Sequence, residues 1–178
     1  DADPRHEGLT VVTAESFREL VLEAPRHVFI VASAAWCGAC SQLKPRWARL
    51  AQLLAAEPSV AIATIDIDEN ELHSRHFPES FIPVAKLFLM GKKRVPVTYQ
   101  NVAGASFEEL AAFLQKHTGV SMQQAIERGY PAYCERLGVD GFLASMRAAA
   151  LSAPLPRVPG RTPLQAMAAF FVAYLLDP

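Results

Sequence analysis

Five consecutive apolar residues, Val28-Phe29-Ile30-Val31-Ala32, lead almost directly into Trp36-Cys37-Gly38-Ala39-Cys40. A run without polar alternation is what a strand covered on both faces requires. Beyond it, Leu43, Trp47, Leu50 and Leu54 step by four, three and four, which predicts a helix from Gly38 to about Ala56 with these side chains on its buried face. The two cysteines therefore sit on a strand-to-helix corner, and the strand needs layers on both sides. Pro45 is expected to interrupt and kink the helix, because it lacks a backbone donor and its ring crowds the preceding turn.

The remaining pattern supplies those layers. Leu9 to Val12 reads as a short strand, and Thr13 is placed to cap a helix with Phe17, Leu20 and Val21 inward until Pro25 stops it. Val60 to Asp66 is a second buried strand, followed by a polar stretch from Asp68 to Glu79 with a short helix expected in it. Phe81-Ile82-Pro83 introduces a strand from Val84 to Met90, and Gly91-Lys92 marks a turn. Val95 to Tyr99 contains Pro96 and is confined to a sheet edge. Ser106-Phe107-Glu108-Glu109 is a capping box opening a helix through Lys116, with Leu110, Phe113 and Leu114 inward. The order β-α-β-α-β-(α)-β-β-α over residues 9–117 describes an α/β domain, a mixed central sheet with helices on both faces.

Composition changes after Gly119. Ser121 to Ala150 is alanine-rich and interrupted at Gly129-Tyr130-Pro131, Gly138 and Gly141, which predicts two or three short helices. A proline-rich linker from Leu151 to Pro163 precedes an apolar helix ending near Leu176. The expected division is residues 1–118, carrying the cysteine pair, and residues 119–178, a helical extension.

With 178 residues, 51 % of them hydrophobic and 20 % charged, the chain is long and apolar enough to bury a core. A net charge of −1 without a basic block excludes the electrostatic footprint of nucleic-acid binding. The segment Leu164 to Leu176 falls short of the roughly 18 apolar residues of a membrane span, so no transmembrane segment is expected and the fragment reads as soluble. Starting at Asp1 rather than Met, it is expected to be processed or trimmed.

A Cys-x-x-Cys pair at a helix start has a specific use. The first sulfur lies beside unpaired backbone N–H groups at the positive end of the helix, which favours its thiolate. The second lies one turn along, close enough to displace whatever the first captures. On this reading Cys37 is the nucleophile and Cys40 the resolving cysteine. A structural zinc half-site and an inert staple are the alternatives. Zinc lacks ligands at suitable spacing, since Cys134 and the histidines are scattered, so no metal site is expected.

Trp36-Cys37-Gly38-Ala39-Cys40, Pro45 and Trp47 in the following helix, and Ile82-Pro83 before a strand together resemble the thioredoxin superfamily over residues 9–117. The resemblance implies a thioredoxin fold, with Trp36, Gly38 and Ala39 shaping the corner. It also implies a cis Ile82-Pro83 bond opposite the cysteines that presents backbone to a substrate strand. Trp36 to Ala51 is similar to the catalytic domains of protein disulfide isomerases. Val102-Ala103-Gly104-Ala105 and the helical tail resemble the amino-terminal region of quiescin-sulfhydryl oxidases. That second resemblance implies reduced protein substrates oxidised through a transient mixed disulfide, and electrons passed to a downstream helical module that binds FAD. No cofactor is expected within this segment itself. The implied compartment is the secretory pathway, in the endoplasmic reticulum, Golgi or extracellular space. A free-standing isomerase-like enzyme is the first alternative, and a thioredoxin-fold binding module the second.

Several positions depart from the pattern. Val31 occupies the place of a buried acid six residues before the first cysteine. Lys86 matches a lysine that pairs with that acid, so it is expected to lack a partner or to snorkel to water. Ala39 replaces the histidine of isomerases, which implies a milder oxidant, and Val84 stands where threonine is common. Cys134 is expected to be a small core residue, with a disulfide to a missing module or partner as the alternative. Phe170, Phe171, Tyr174 and Leu175 read as helix-packing core.

Overall fold

The computed structural model describes residues 8–70 and 76–136. Five strands form one sheet: β1 (Leu9–Val11), β2 (His27–Ser33), β3 (Val60–Asp66), β4 (Val84–Phe88) and β5 (Val97–Tyr99). Their order is β1-β3-β2-β4-β5, with β1 and β2 parallel to β3, and β4 antiparallel to both β2 and β5. The uninterrupted apolar run of Val28 to Ala32 is thus the middle of the sheet, buried throughout. β5 begins just after Pro96 and lies at the edge, as expected.

The two faces of β2 are covered differently. Phe29 meets Trp47 of α1 (Gly38–Leu54), with ring centroids 4.6 Å apart, and Phe113 of α2 (Phe107–Thr118) at 5.4 Å. Trp47 Nε1 donates to the Ala63 carbonyl at 2.9 Å, so the largest buried side chain also has its polar atom satisfied. On the opposite face Val28, Ile30 and Ala32 join Val12, Phe17, Val21, Phe77 and Phe88 in one cluster. Burial of a side chain of this size stabilises the fold by roughly 1.5–3 kcal/mol.

Local signals account for most element ends. α2 carries both bonds of its capping box, Ser106 with Glu109, and closes on Gly119 at φ 73°, where a left-handed residue is needed. Three expectations are revised. α1 runs unbroken through Pro45 rather than being interrupted. In place of a helix from Thr13, Thr13 and Ser16 bond each other reciprocally and a π-helical turn covers Arg18–Leu22, still burying Phe17 and Val21. α3 (Met122–Arg136) continues through Gly129 and Pro131. Gly129 is a close-approach residue, not a breaker: a Cβ there would collide with the Leu53 carbonyl at the end of α1.

The chain divides into units at residues 1–129 and 130–178, the second described only over 130–136. Cys134 is 2 % exposed, in agreement with its reading as a core residue. The expected short helix after Asp68 falls partly on residues 71–75, and the linker and final apolar helix lie outside the described residues. Among the described residues no helix is long and apolar enough to cross a membrane.

Candidate active site

β2 ends at Ser33 and α1 begins at Gly38, so the turn between them is short and Cys37 becomes the N-cap of the helix. Its Sγ accepts the backbone N–H of Cys40 at 3.1 Å, the bond that an N-cap serine or aspartate would make. The sulfur therefore lies where helix-end N–H groups and the helix dipole favour negative charge. Cys37 and Cys40 form a disulfide, with Cα atoms 5.2 Å apart. Cys40 is only 1 % exposed and Cys37 6 %, while Trp36 beside them is 71 % exposed. Access to the disulfide is a narrow window onto Cys37, flanked by exposed Gly38 and Ala39.

The second wall comes from the segment before β4. The Ile82-Pro83 peptide is cis, and the Ile82 carbonyl oxygen lies 3.8 Å from Cys37 Sγ. Phe81 projects from the same segment and is 63 % exposed. Next to this wall is a cavity of about 270 Å³, whose lining includes Ala39, Glu79, Phe81, Ile82, Pro83 and Val102. A hollow of about 310 Å³ lies at the other end of α1, with Leu54, Glu57 and Val60 in its lining and no cysteine. The chemistry is at the smaller one.

A third side is built by Val102–Gly104, a single 3₁₀ turn entered through Asn101 at φ 57°. Arg46 of α1 ties it down, donating to the carbonyls of Ala105 at 2.5 Å and Ala103 at 3.0 Å. The helix bearing the disulfide and the loop beside the cavity are thereby held by one guanidinium. Arg46 was not foreseen from the sequence. Its position next to Trp47 is the one available signal.

The structure corrects the reading of Lys86. In the β2–β4 register Lys86 stands opposite Ile30, whereas residue 31 stands opposite Ala85. Successive side chains alternate across a sheet, so an acid at position 31 would point away from Lys86. Nor does Lys86 reach water. It is 4 % exposed, its Nζ pairs with Glu79 Oε1 at 2.7 Å, and it lies 5.2 Å from the Phe77 ring centroid. Val31 and Val84 are buried apolar residues, which leaves both departures in place.

Among the described residues no three of His, Cys, Asp and Glu are grouped to hold a metal ion. The Thioredoxin family profile matches residues 8–116, a span that includes the cysteine corner, the cis-proline and the whole sheet. The chain belongs to the thioredoxin family. Its thioredoxin fold is shared with the first thioredoxin domain of mouse Protein disulfide-isomerase A4, at a TM-score of 0.52 and 27 % identity, over 61 % of this chain and 74 % of that one. Protein disulfide-isomerase of Aspergillus oryzae is 37 % identical over 121 residues, covering 67 % of this chain and 22 % of the relative. Protein disulfide-isomerase of Gallus gallus is 35 % identical over 121 residues, covering 66 % and 23 %. This thioredoxin-family chain thus spans between a fifth and a quarter of the length of those two relatives.

Proposed function

We propose that the chain is a thiol–disulfide oxidoreductase acting on protein clients, with Cys37 as the sulfur that bonds to the client and Cys40 as the one that resolves. The observation carrying this reading is the asymmetry of the pair. Cys37 is at the helix N-cap with the only window to solvent, and Cys40 is enclosed behind it. In the oxidising direction a client thiolate attacks Cys37 Sγ, the Cys37–Cys40 bond breaks, and Cys40 leaves as a thiolate. A second client thiolate then attacks the client sulfur of the mixed disulfide, releasing Cys37. Two electrons and two protons pass from client to chain. The reverse sequence, begun by the Cys37 thiolate on a client disulfide, gives reduction or isomerisation.

Trp36 and Phe81 supply exposed apolar surface on either side of the window, and the Ile82 carbonyl supplies a backbone acceptor for an extended client segment. The similarity to protein disulfide-isomerases supports clients that are unfolded or mispaired proteins, and a secretory compartment in which disulfides persist. A finer reading places the chain at the amino end of a sulfhydryl oxidase. There the Cys37/Cys40 dithiol would be reoxidised by a second cysteine pair beside FAD in a further module, with oxygen as the terminal acceptor. The motif Val102-Ala103-Gly104-Ala105 favours it.

Trapping tests the common core of both. Cys40→Ala should accumulate a client joined to Cys37 by a disulfide, visible as a band shift removed by reductant. Cys37→Ala/Cys40→Ala should trap nothing, and an equal yield from both variants would rule out Cys37 as the exchanging sulfur. Oxygen uptake on adding a dithiol client, seen with a longer chain and absent from this one, would select the oxidase reading; turnover sustained by glutathione disulfide alone would select the isomerase.

A further inference from the structure

Lys86 and Glu79 form an ion pair beside the cavity at the cysteine corner, and neither takes part in the sulfur chemistry above. Lys86 is fixed by β4, which lies between β2 and the edge strand β5, with its side chain 5 % exposed. Glu79 lies outside any strand or helix, four residues ahead of Pro83, with its side chain 18 % exposed. Its Oε1 meets Lys86, while its Oε2 is buried without a hydrogen-bond partner. Charges removed from water recover little net stability by pairing, and an unmatched buried oxygen is a further loss. An apolar pair of the same volume would hold the core at least as well.

What the ion pair supplies is a fixed position. Among the described residues, no backbone–backbone hydrogen bond ties Glu79, Ser80, Phe81 or Ile82 to another element. The Lys86 ammonium is thus a polar attachment that joins this segment to the sheet interior. The same segment carries Phe81 and the Ile82 carbonyl, 3.8 Å from Cys37 Sγ, and lines the cavity beside Ala39.

We propose that Glu79 is a positioning residue for client docking: through Lys86 it anchors residues 79–83, so that Phe81 and the Ile82 carbonyl are held beside the Cys37 window before a client arrives. Preorganisation of this kind is felt by a client that contacts the segment and not by a small thiol that meets only the sulfur. The inference rests on the exchange reading for its kinetic readout, and on the segment's motion for an independent one.

The test uses the full chain and the variant Glu79→Leu/Lys86→Met, which removes both charges together and leaves neither uncompensated. With the oxidised chain mixed in a single turnover with a reduced two-cysteine peptide, so that its own Cys37–Cys40 disulfide is the oxidant, the half-saturating peptide concentration (the single-turnover KM) should rise about fivefold with the limiting rate unchanged. The rate with dithiothreitol should stay at the wild-type value. Backbone ¹⁵N order parameters of Ser80, Phe81 and Ile82 should fall from near 0.85 to below about 0.6, while those of β2 hold. Glu79→Gln, which keeps an acceptor for Lys86, should give a smaller rise of about twofold. An unchanged peptide KM, or equal changes with peptide and dithiothreitol, would overturn the proposal. If wild-type chain oxidises neither compound, the exchange reading fails, and the order parameters alone decide the anchoring: no change in them rejects it.

Discussion

Two ion-paired carboxylates, the buried Glu57 and the half-buried Glu79, are satisfied in opposite ways. Glu57 lies just beyond the C-terminus of α1, about 25 Å of helix from Cys37. It accepts from Ser59 N at 3.1 Å and Ser59 Oγ at 2.5 Å, and pairs with Arg128 of α3. Both oxygens are used. Glu79, beside the disulfide, uses one oxygen and leaves the other bare. Glu57 is thus closed as a structural joint is, whereas Glu79, beside the cysteines, keeps an incomplete set of partners. Incomplete satisfaction is tolerated where a segment must be held for something other than stability.

If that contrast is sound, the largest effect belongs to breaking the site-end pair one-sidedly. Lys86→Met alone strands the Glu79 charge and should lower stability by roughly 3–5 kcal/mol, read from the denaturant midpoint. A loss under about 1 kcal/mol would mean that Glu79 reaches solvent and that the two ends do not differ.

A second prediction concerns what the site end lacks. Ala39 is exposed beside Cys37, and a histidine there would place a cation next to the developing thiolate. Ala39→His should raise the reduction potential by about 30 mV, a tenfold change in the exchange equilibrium with glutathione. Far-end substitutions such as Glu57→Gln should leave that equilibrium where it is. A shift from Glu57→Gln would erase the separation of roles.

The smallest effect is a pH dependence confined to the far end. The Ser59 hydroxyl is the main cause holding the Glu57 carboxyl below its usual pKa of 4.5, with Ser59 N–H and Arg128 adding to it and burial opposing. Between 4.5 and that lower value the unfolded chain binds more protons than the folded one, so stability is full above pH 4.5 and is lost as pH falls through the folded pKa. Glu57→Gln should flatten this part of the acid limb and lower neutral stability by about 1–2 kcal/mol, because Arg128 is half exposed. Urea titrations at pH 3 and pH 6 measure both quantities. An identical acid limb in the variant would show that other carboxyls set it.

Legibility followed range. The Cys37 N-cap and the Ser106 capping box involve groups three residues apart on one helix end, and both were readable because helix geometry alone brings them together. The central strand announced itself by composition, since burial on both faces leaves no polar alternation. Lys86 was misread because its partner depends on strand register: one residue decides which face of β4 it joins, and register is set by pairing with β2 rather than by nearby residues. Gly129 was read as a break because a glycine in a helix is costly in isolation, yet contact with Leu53 requires it. The helix expected after Thr13 shrank to one turn because burial of Phe17 and Val21 in the cluster on that face of the sheet needs no more.

By itself the sequence determined the family, the corner bearing the two sulfurs and the proline facing them, because each rests on local spacing or on the burial pattern of one element. Only the tertiary structure decided which sulfur meets solvent, that Arg46 holds the loop of Val102, and that Lys86 anchors Glu79. Those contacts join side chains through a sheet and across loops, where position is fixed by packing and register, and neither is written in any short stretch of chain.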